Sequence, residues 1–220
     1  YLLCVLAIQL MVPSMHAALY ERTKDHIRWL LPLKKPWLDN YMYFMSFLGD
    51  GEPYFYAIMV NWATASGTAK VRTCMDQLLL AGVLVFQLHL LTVEISVWSQ
   101  QTYFDDITLG DTVFKDCATE YGNPSGHSQM AMTMTWVPIM YYLEAYKSYF
   151  DRNPIKRTAL IALGWFYIIS VVYSRIYLGR HTLDQCLNGL AIGFLCYHFA
   201  HHHWRTNAFS HEIKEQADHN

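Results

Sequence analysis

Charge is scarce in this 220-residue chain: Asp, Glu, Lys and Arg make up 15% of it, against 53% hydrophobic residues. That is too apolar for an ordinary soluble domain, and the length suffices for one bundle of membrane helices. A basic surplus is also missing. Sixteen Lys and Arg face 18 Asp and Glu, a formal net charge of −2, so nothing supports nucleic-acid binding. The five cysteines (Cys4, Cys74, Cys117, Cys186 and Cys196) include no CxxC pair, which implies neither a disulfide framework nor a zinc site. Internal repeats are lacking, and the one biased run is His201, His202 and His203, which reads as a solvated, interfacial helix end. The chain starts at Tyr1 and not at Met, so its true N-terminus is expected upstream.

Apolar segments are what the chain does have. Residues 53–65, 75–98, 126–146, 159–173 and 183–203 are apolar enough to suggest membrane helices, since backbone groups inside lipid must pair with one another. Residues 1–12 are the remnant of a spanning helix or a short interfacial one, closed by Pro13. Residues 15–35 mix Trp29, Leu30 and Leu31 with Arg22, Lys24, Arg28, Lys34 and Lys35, which suits a surface-lying segment or a connector. The expected architecture is all-α: a polytopic transmembrane bundle of about five to six membrane helices. An N-terminal apolar and interfacial segment takes residues 1–45, the bundle 46–203, and a polar tail 204–220.

With one crossing per segment, the connections 98–126 and 173–183 share a face. The opposite connections carry Lys70, Arg72, Lys147, Arg152, Lys156 and Arg157. The positive-inside rule puts that basic set in the cytosol or matrix and the other face on the non-cytosolic or non-matrix side. An integral membrane protein with membrane lipids and other membrane-protein subunits as partners is expected.

Two short motifs fall on the non-basic face. "PSGH" occupies Pro124 to His127, and "SRIYLGRH" runs from Ser174 to His181. A phosphoryl-transfer site needs a nucleophile, an acid for the leaving group, and donors for the equatorial oxygens. Ser125 and Gly126 open a helix, where unpaired N–H groups and the helix dipole favour an anion. His127 is the candidate acid, Arg175 a planar fork of donors for phosphate, and His181 the candidate nucleophile.

On these residues the chain resembles the type 2 phosphatidic acid phosphatase superfamily, which includes lipid phosphate phosphatases, glucose-6-phosphatases, dolichyl diphosphate phosphatases and vanadium-dependent haloperoxidases. Its motifs are KxxxxxxRP, PSGH and SRxxxxxHxxxD. The resemblance implies an all-helical core and metal-independent hydrolysis of a phosphate ester through a phosphohistidine, with no cofactor. It implies His181 as nucleophile, His127 as acid, and Arg175, Ser125 and Gly126 as phosphate holders. The final Asp of the third motif falls at Gln185, with Asp184 one residue earlier; either is within helical reach of His181.

The first motif is degenerate. It aligns on "EISVWSQQTYF", where Lys becomes Glu94, Arg becomes Gln101 and Pro becomes Thr102. A unit charge ~5 Å from another contributes ~3 kcal/mol at an effective dielectric of ~20. Reversing its sign against a phosphate dianion is therefore a change of about 6 kcal/mol, or roughly four decades in rate if felt wholly in the transition state. Arg180 and Lys115 are candidates for partial replacement. The expectation is a catalytically impaired protein with a structural or lipid-binding role in a membrane complex. The alternative is an active lipid-phosphate or polyprenyl-diphosphate phosphatase.

Overall fold

The computed structural model describes residues 18, 21–23, 25–63, 69–95 and 124–218. Every regular element among them is helical. After a 3-10 turn at Leu31–Leu33 come α1 (Pro36–Leu48), α2 (Gly51–Ala63), α3 (Ala69–Ile95), α4 (Gly126–Ala145), α5 (Lys147–Arg152), α6 (Pro154–Tyr177) and α7 (Leu183–Asp218). Proline opens α1 and α6, where its missing N–H leaves no hydrogen bond unmade and its fixed φ already suits a helix.

The hub is α4. It lies along α7, with α3 and α6 against its other sides, and α1 rests on α6. Between α3, α4 and α7 the core is apolar, with Ala81, Val137, Tyr141, Tyr197 and Ala200 buried together. Met45, Ala131 and Val171 join α1, α4 and α6. Burying a side chain such as Val171 contributes about 1.5–3 kcal/mol over leaving it exposed. Polar contacts also cross the α4–α7 seam, among them the Thr133 hydroxyl donating to the Gly193 carbonyl at 2.9 Å.

The all-α expectation holds, but the expected number of membrane helices does not. Crossing a bilayer takes ~20 mostly apolar residues. Among the described residues one helix, Pro154–Tyr177, is long and apolar enough, in place of about five to six. The physical reasons differ by helix. With 13 residues each, α1 and α2 are too short. In α3 the apolar helix counted among the described residues is Cys74–His89, which is shorter than a span. Polar residues open α4 as His127, Ser128 and Gln129, and α7 runs from its apolar part into His201, His202 and His203.

Only 33% of the apolar window of α6 is buried, and Leu163, Phe166 and Ile169 face outward. A helix in the core of a soluble protein hides such residues; here they form an outer apolar surface.

Candidate active site

Ser125 closes the chain onto α4 as its N-cap. Its backbone is extended, and its Oγ accepts from the Ser128 amide at 3.4 Å and from the Ser128 hydroxyl at 3.1 Å. Gly126 and His127 then form the first turn, where amides have no acceptor inside the helix. The Ser125 amide itself donates to the Gln185 carbonyl at 3.1 Å, tying this turn to the start of α7. The two backbones meet closely because α7 has a glycine at the crossing. A Cβ on Gly189 would lie 2.5 Å from the Ser125 carbonyl oxygen.

The spacing of the second motif follows from how α6 ends. Leu178 is the C-cap, and Gly179 turns left-handed with φ 66°. The Gly179 amide donates to the Ile176 carbonyl at 3.0 Å, and the Arg180 amide to the Arg175 carbonyl at 2.9 Å. This is the paired bonding of a Schellman cap, and glycine is the residue that adopts its αL position without steric cost. The His181 amide also reaches the Arg175 carbonyl, at 3.3 Å. Arg175 in the last turn of the helix and His181 beyond the cap are thus coupled through a single carbonyl. The Arg175 side chain crosses to α1, where Nη1 donates to Ser46 Oγ at 2.5 Å. Its Nε is buried without a hydrogen-bond partner among the described residues.

Next, Thr182 and Gln185 form a capping arrangement at the start of α7. Gln185 Oε1 accepts from the Thr182 amide at 3.1 Å, the reach-back bond of a capping box. The same oxygen lies 3.2 Å from His181 Nδ1. Since Oε1 is already an acceptor, Nδ1 must bring the proton, and the imidazole lone pair is then on Nε2. His181, Asp184 and Gln185 are all buried. Gln185 thus supplies an oxygen to the His181 ring.

His127, outside the one candidate span, is half-buried close to this group. Its pKa is pushed down to about 2, first by burial and then by the neighbouring Arg175, His181, His89 and Arg180. Arg175 and Arg180 are the cations among these neighbours, and an anion placed there would oppose their charge. Beside His127 a cavity of about 740 Å³ opens between α2, α3 and α4, with Asp50 and His89 among its polar lining and Phe55, Val83, Phe86 and Met130 among its apolar lining.

Residues 87–209 match the model of the PAP2 superfamily, more than half of the chain. The chain belongs to the PAP2 superfamily. It is 33% identical over 93 residues to dihydrosphingosine 1-phosphate phosphatase of Saccharomyces cerevisiae; the match takes in 42% of this chain and 21% of that protein, so the chain spans about a fifth of that relative's length. In three dimensions it is similar to a transmembrane PAP2-type phosphatidylglycerolphosphate phosphatase from Bacillus subtilis, with TM-score 0.68, 19% identity and coverage of 96% of this chain and 94% of that one. It is also similar to LpxE of Aquifex aeolicus, with TM-score 0.52, 20% identity and coverage of 80% and 92%. At such identities the likeness is one of fold.

The PAP2 residues singled out in the sequence are distributed unevenly over the structure. Ser125, Gly126, His127, Arg175, His181 and Gln185 lie at one end of the bundle, where α4 and α7 begin and α6 ends. Gln101, Thr102 and the side chain of Glu94 lie outside the described residues, so the PAP2 first motif rests on the alignment. Three neighbours of the site were not singled out as part of it. Ser46 holds Arg175, and the His89 ring lies against Gly126, with Cε1 3.3 Å from where a Cβ would stand. Neither has a local pattern that marks it. Thr182 does: Thr-x-x-Gln ahead of an apolar run is a capping signature.

Proposed function

We propose that this PAP2 chain binds phosphorylated lipids at a membrane, with hydrolysis held low by Glu94 and Gln101, and that it serves as a structural or lipid-binding component of a membrane assembly. The site lies at the end of the bundle opposite Lys147, Arg152, Lys156 and Arg157, because α4 leads away from it and α6 returns to it. The observation that carries this reading is the alignment of the first motif, which puts a carboxylate and an amide where the family keeps two cations. The cationic groups beside His127 are Arg175 and Arg180. The cavity next to His127 suits the ligand class, because its apolar lining beside a polar end fits a hydrocarbon chain attached to a phosphate.

A second reading, an active lipid-phosphate or polyprenyl-diphosphate phosphatase, draws on one observation: Gln185 holds His181 with its lone pair on Nε2. Nε2 attacks phosphorus, the bond from phosphorus to the ester oxygen breaks, and His127, protonated once the bound phosphate opposes the cations beside it, gives its proton to the departing alkoxide. Water then attacks phosphorus and gives a proton to His127, the bond from phosphorus to His181 Nε2 breaks, and phosphate leaves. Arg175 and the first amides of α4 hold the equatorial oxygens, and Arg180 replaces part of the missing charge. Similarity to a dihydrosphingosine 1-phosphate phosphatase makes a sphingoid-base phosphate a reasonable substrate to try.

The test is phosphate release from phosphatidic acid, dihydrosphingosine 1-phosphate and a polyprenyl diphosphate by the purified chain and by His181→Ala. The impaired reading expects both proteins to release little, with lipid phosphate still bound. Brisk release that disappears in His181→Ala would establish the second reading instead.

A further inference from the structure

The loop that carries His181 is fastened from outside at both ends, and both fastenings come from the same N-terminal stretch. Four residues before His181, the Tyr177 hydroxyl donates to Asp39 Oδ1 at 2.6 Å. Two residues after it, the Leu183 amide, at the first position of α7, donates to Thr23 Oγ1 at 3.3 Å. That amide is one of the orphan donors of a helix start. Thr182 caps none of them through its own hydroxyl: its Oγ1 is buried without a hydrogen-bond partner among the described residues. The acceptor is supplied from far away in the sequence, by a threonine that is itself buried.

Packing follows the same path. Leu30 and Met42 are buried with Tyr177 and Leu178. The Lys34 ammonium sits 4.9 Å from the centre of the Tyr177 ring, within cation–π range. His26 Nε2 is 3.2 Å from the hydroxyl of Tyr173, one turn earlier in α6. The N-terminal residues in these contacts, Thr23, His26, Leu30, Lys34, Asp39 and Met42, lie outside the three family motifs.

We propose that Thr23 and Asp39 are positioning residues for the nucleophile, an N-terminal clasp that sets where the His181 ring stands relative to His127 and Arg175. Phosphoryl transfer depends on placement, and a displacement of ~1 Å can cost ~100-fold in rate. The loop's internal bonds fix its shape, and the clasp fixes where that shape is held. The inference rests on His181 acting as nucleophile, so its test includes a readout independent of turnover.

The experiment compares wild type with Thr23→Val, which keeps shape but loses the acceptor, Tyr177→Phe, which loses the donor to Asp39, the double variant, and Thr23→Ser, which keeps an Oγ. Each is purified as the full chain in detergent micelles. Two quantities are read: kcat and KM for dihydrosphingosine 1-phosphate, and the His181 tautomer in histidine-selective ¹⁵N spectra, assigned by His181→Asn. The expected result is a fall of about tenfold in kcat for each isosteric variant with KM nearly unchanged, recovery in Thr23→Ser, and a shift of the His181 ring away from a single Nδ1–H form. Measurable turnover that is the same in the double variant as in wild type, with an unchanged His181 spectrum, would overturn the clasp. If no protein turns over yet the His181 signal shifts in Thr23→Val and returns in Thr23→Ser, the clasp stands and hydrolysis fails. An unshifted signal in that case overturns the clasp as well.

Discussion

The Ser125 amide donates to the Gln185 carbonyl at 3.1 Å, and the Gln185 side chain accepts from the Thr182 amide and faces His181 Nδ1. One residue therefore joins the turn at Ser125 to the candidate nucleophile, through its backbone on one side and its amide on the other. The site is assembled from helix ends, and its geometry depends on caps and on one close helix crossing.

That crossing gives the first expectation. In Gly189→Ala the new Cβ would meet the Ser125 carbonyl oxygen at 2.5 Å and Ser128 Cβ at 2.9 Å. Backbone cannot yield locally, so α7 must move away from α4. Stability should fall by about 1–3 kcal/mol, measured by thermal unfolding in detergent, and vanadate affinity should fall with it. An unchanged melting temperature would mean that the helices are not in such close contact.

Gln185 and Asp184 should behave differently. Gln185→Leu removes the acceptor for both His181 and the Thr182 amide, at a cost of about 1 kcal/mol for the lost cap and ~100-fold in turnover for the misaligned ring. Asp184→Asn leaves the Gln185 contact to His181 in place and should change turnover little. Both are best read in the Glu94→Lys/Gln101→Arg background, where turnover is expected to be measurable. A larger loss from Asp184→Asn than from Gln185→Leu would return the orienting role to the aspartate.

His127 should make stability depend on pH. Its folded-state pKa, about 2, lies below the ordinary histidine value near 6.5. The unfolded chain therefore binds the extra proton below about pH 6.5 while the folded chain does not. Stability from this group is fully present above that pH and is lost as pH falls, by up to about 1.4 kcal/mol per pH unit. Replacing His127 with Gln should flatten this slope in unfolding measured from pH 7.5 to pH 5. Burial is the first cause of that depression and the neighbouring charges the second, and an anion bound beside His127 opposes the second. Vanadate binding at pH 7 should thus take up protons, seen as a dependence of calorimetric heat on the ionisation enthalpy of the buffer. Equal slopes with and without His127, and no proton uptake, would contradict this electrostatic account.

Much of this site can be read from the sequence because its parts are local. Pro124 to His127 is a turn into a helix, and the SR-x5-H spacing is the length of a Schellman cap closed by Gly179. What escapes sequence reading is contact over distance. Thr23 caps a helix 160 residues away, and Ser46 meets Arg175 across 129 residues; an isolated Thr or Ser carries no sign of either. The choice between Asp184 and Gln185 stays open in the sequence because both are within one helical turn of His181, and only the capping geometry separates them. The membrane-helix count fails for another reason. Apolar runs such as residues 53–65 and 126–146 resemble spans by composition, but α2 is too short and α4 begins with polar residues directed to the site.

The central claim is that the site retains its histidines and one arginine and lacks the charge of the first motif. The most direct measurement is the rate of phosphate release from dihydrosphingosine 1-phosphate by wild type, Glu94→Lys, Gln101→Arg, the double variant, and the double variant carrying His181→Ala. Restoring two cations to a transition state stabilised mainly by positioned charge should raise the rate by several decades in the double variant, more than either single change, and His181→Ala should abolish the gain. Brisk wild-type release that the double change does not improve would contradict the claim.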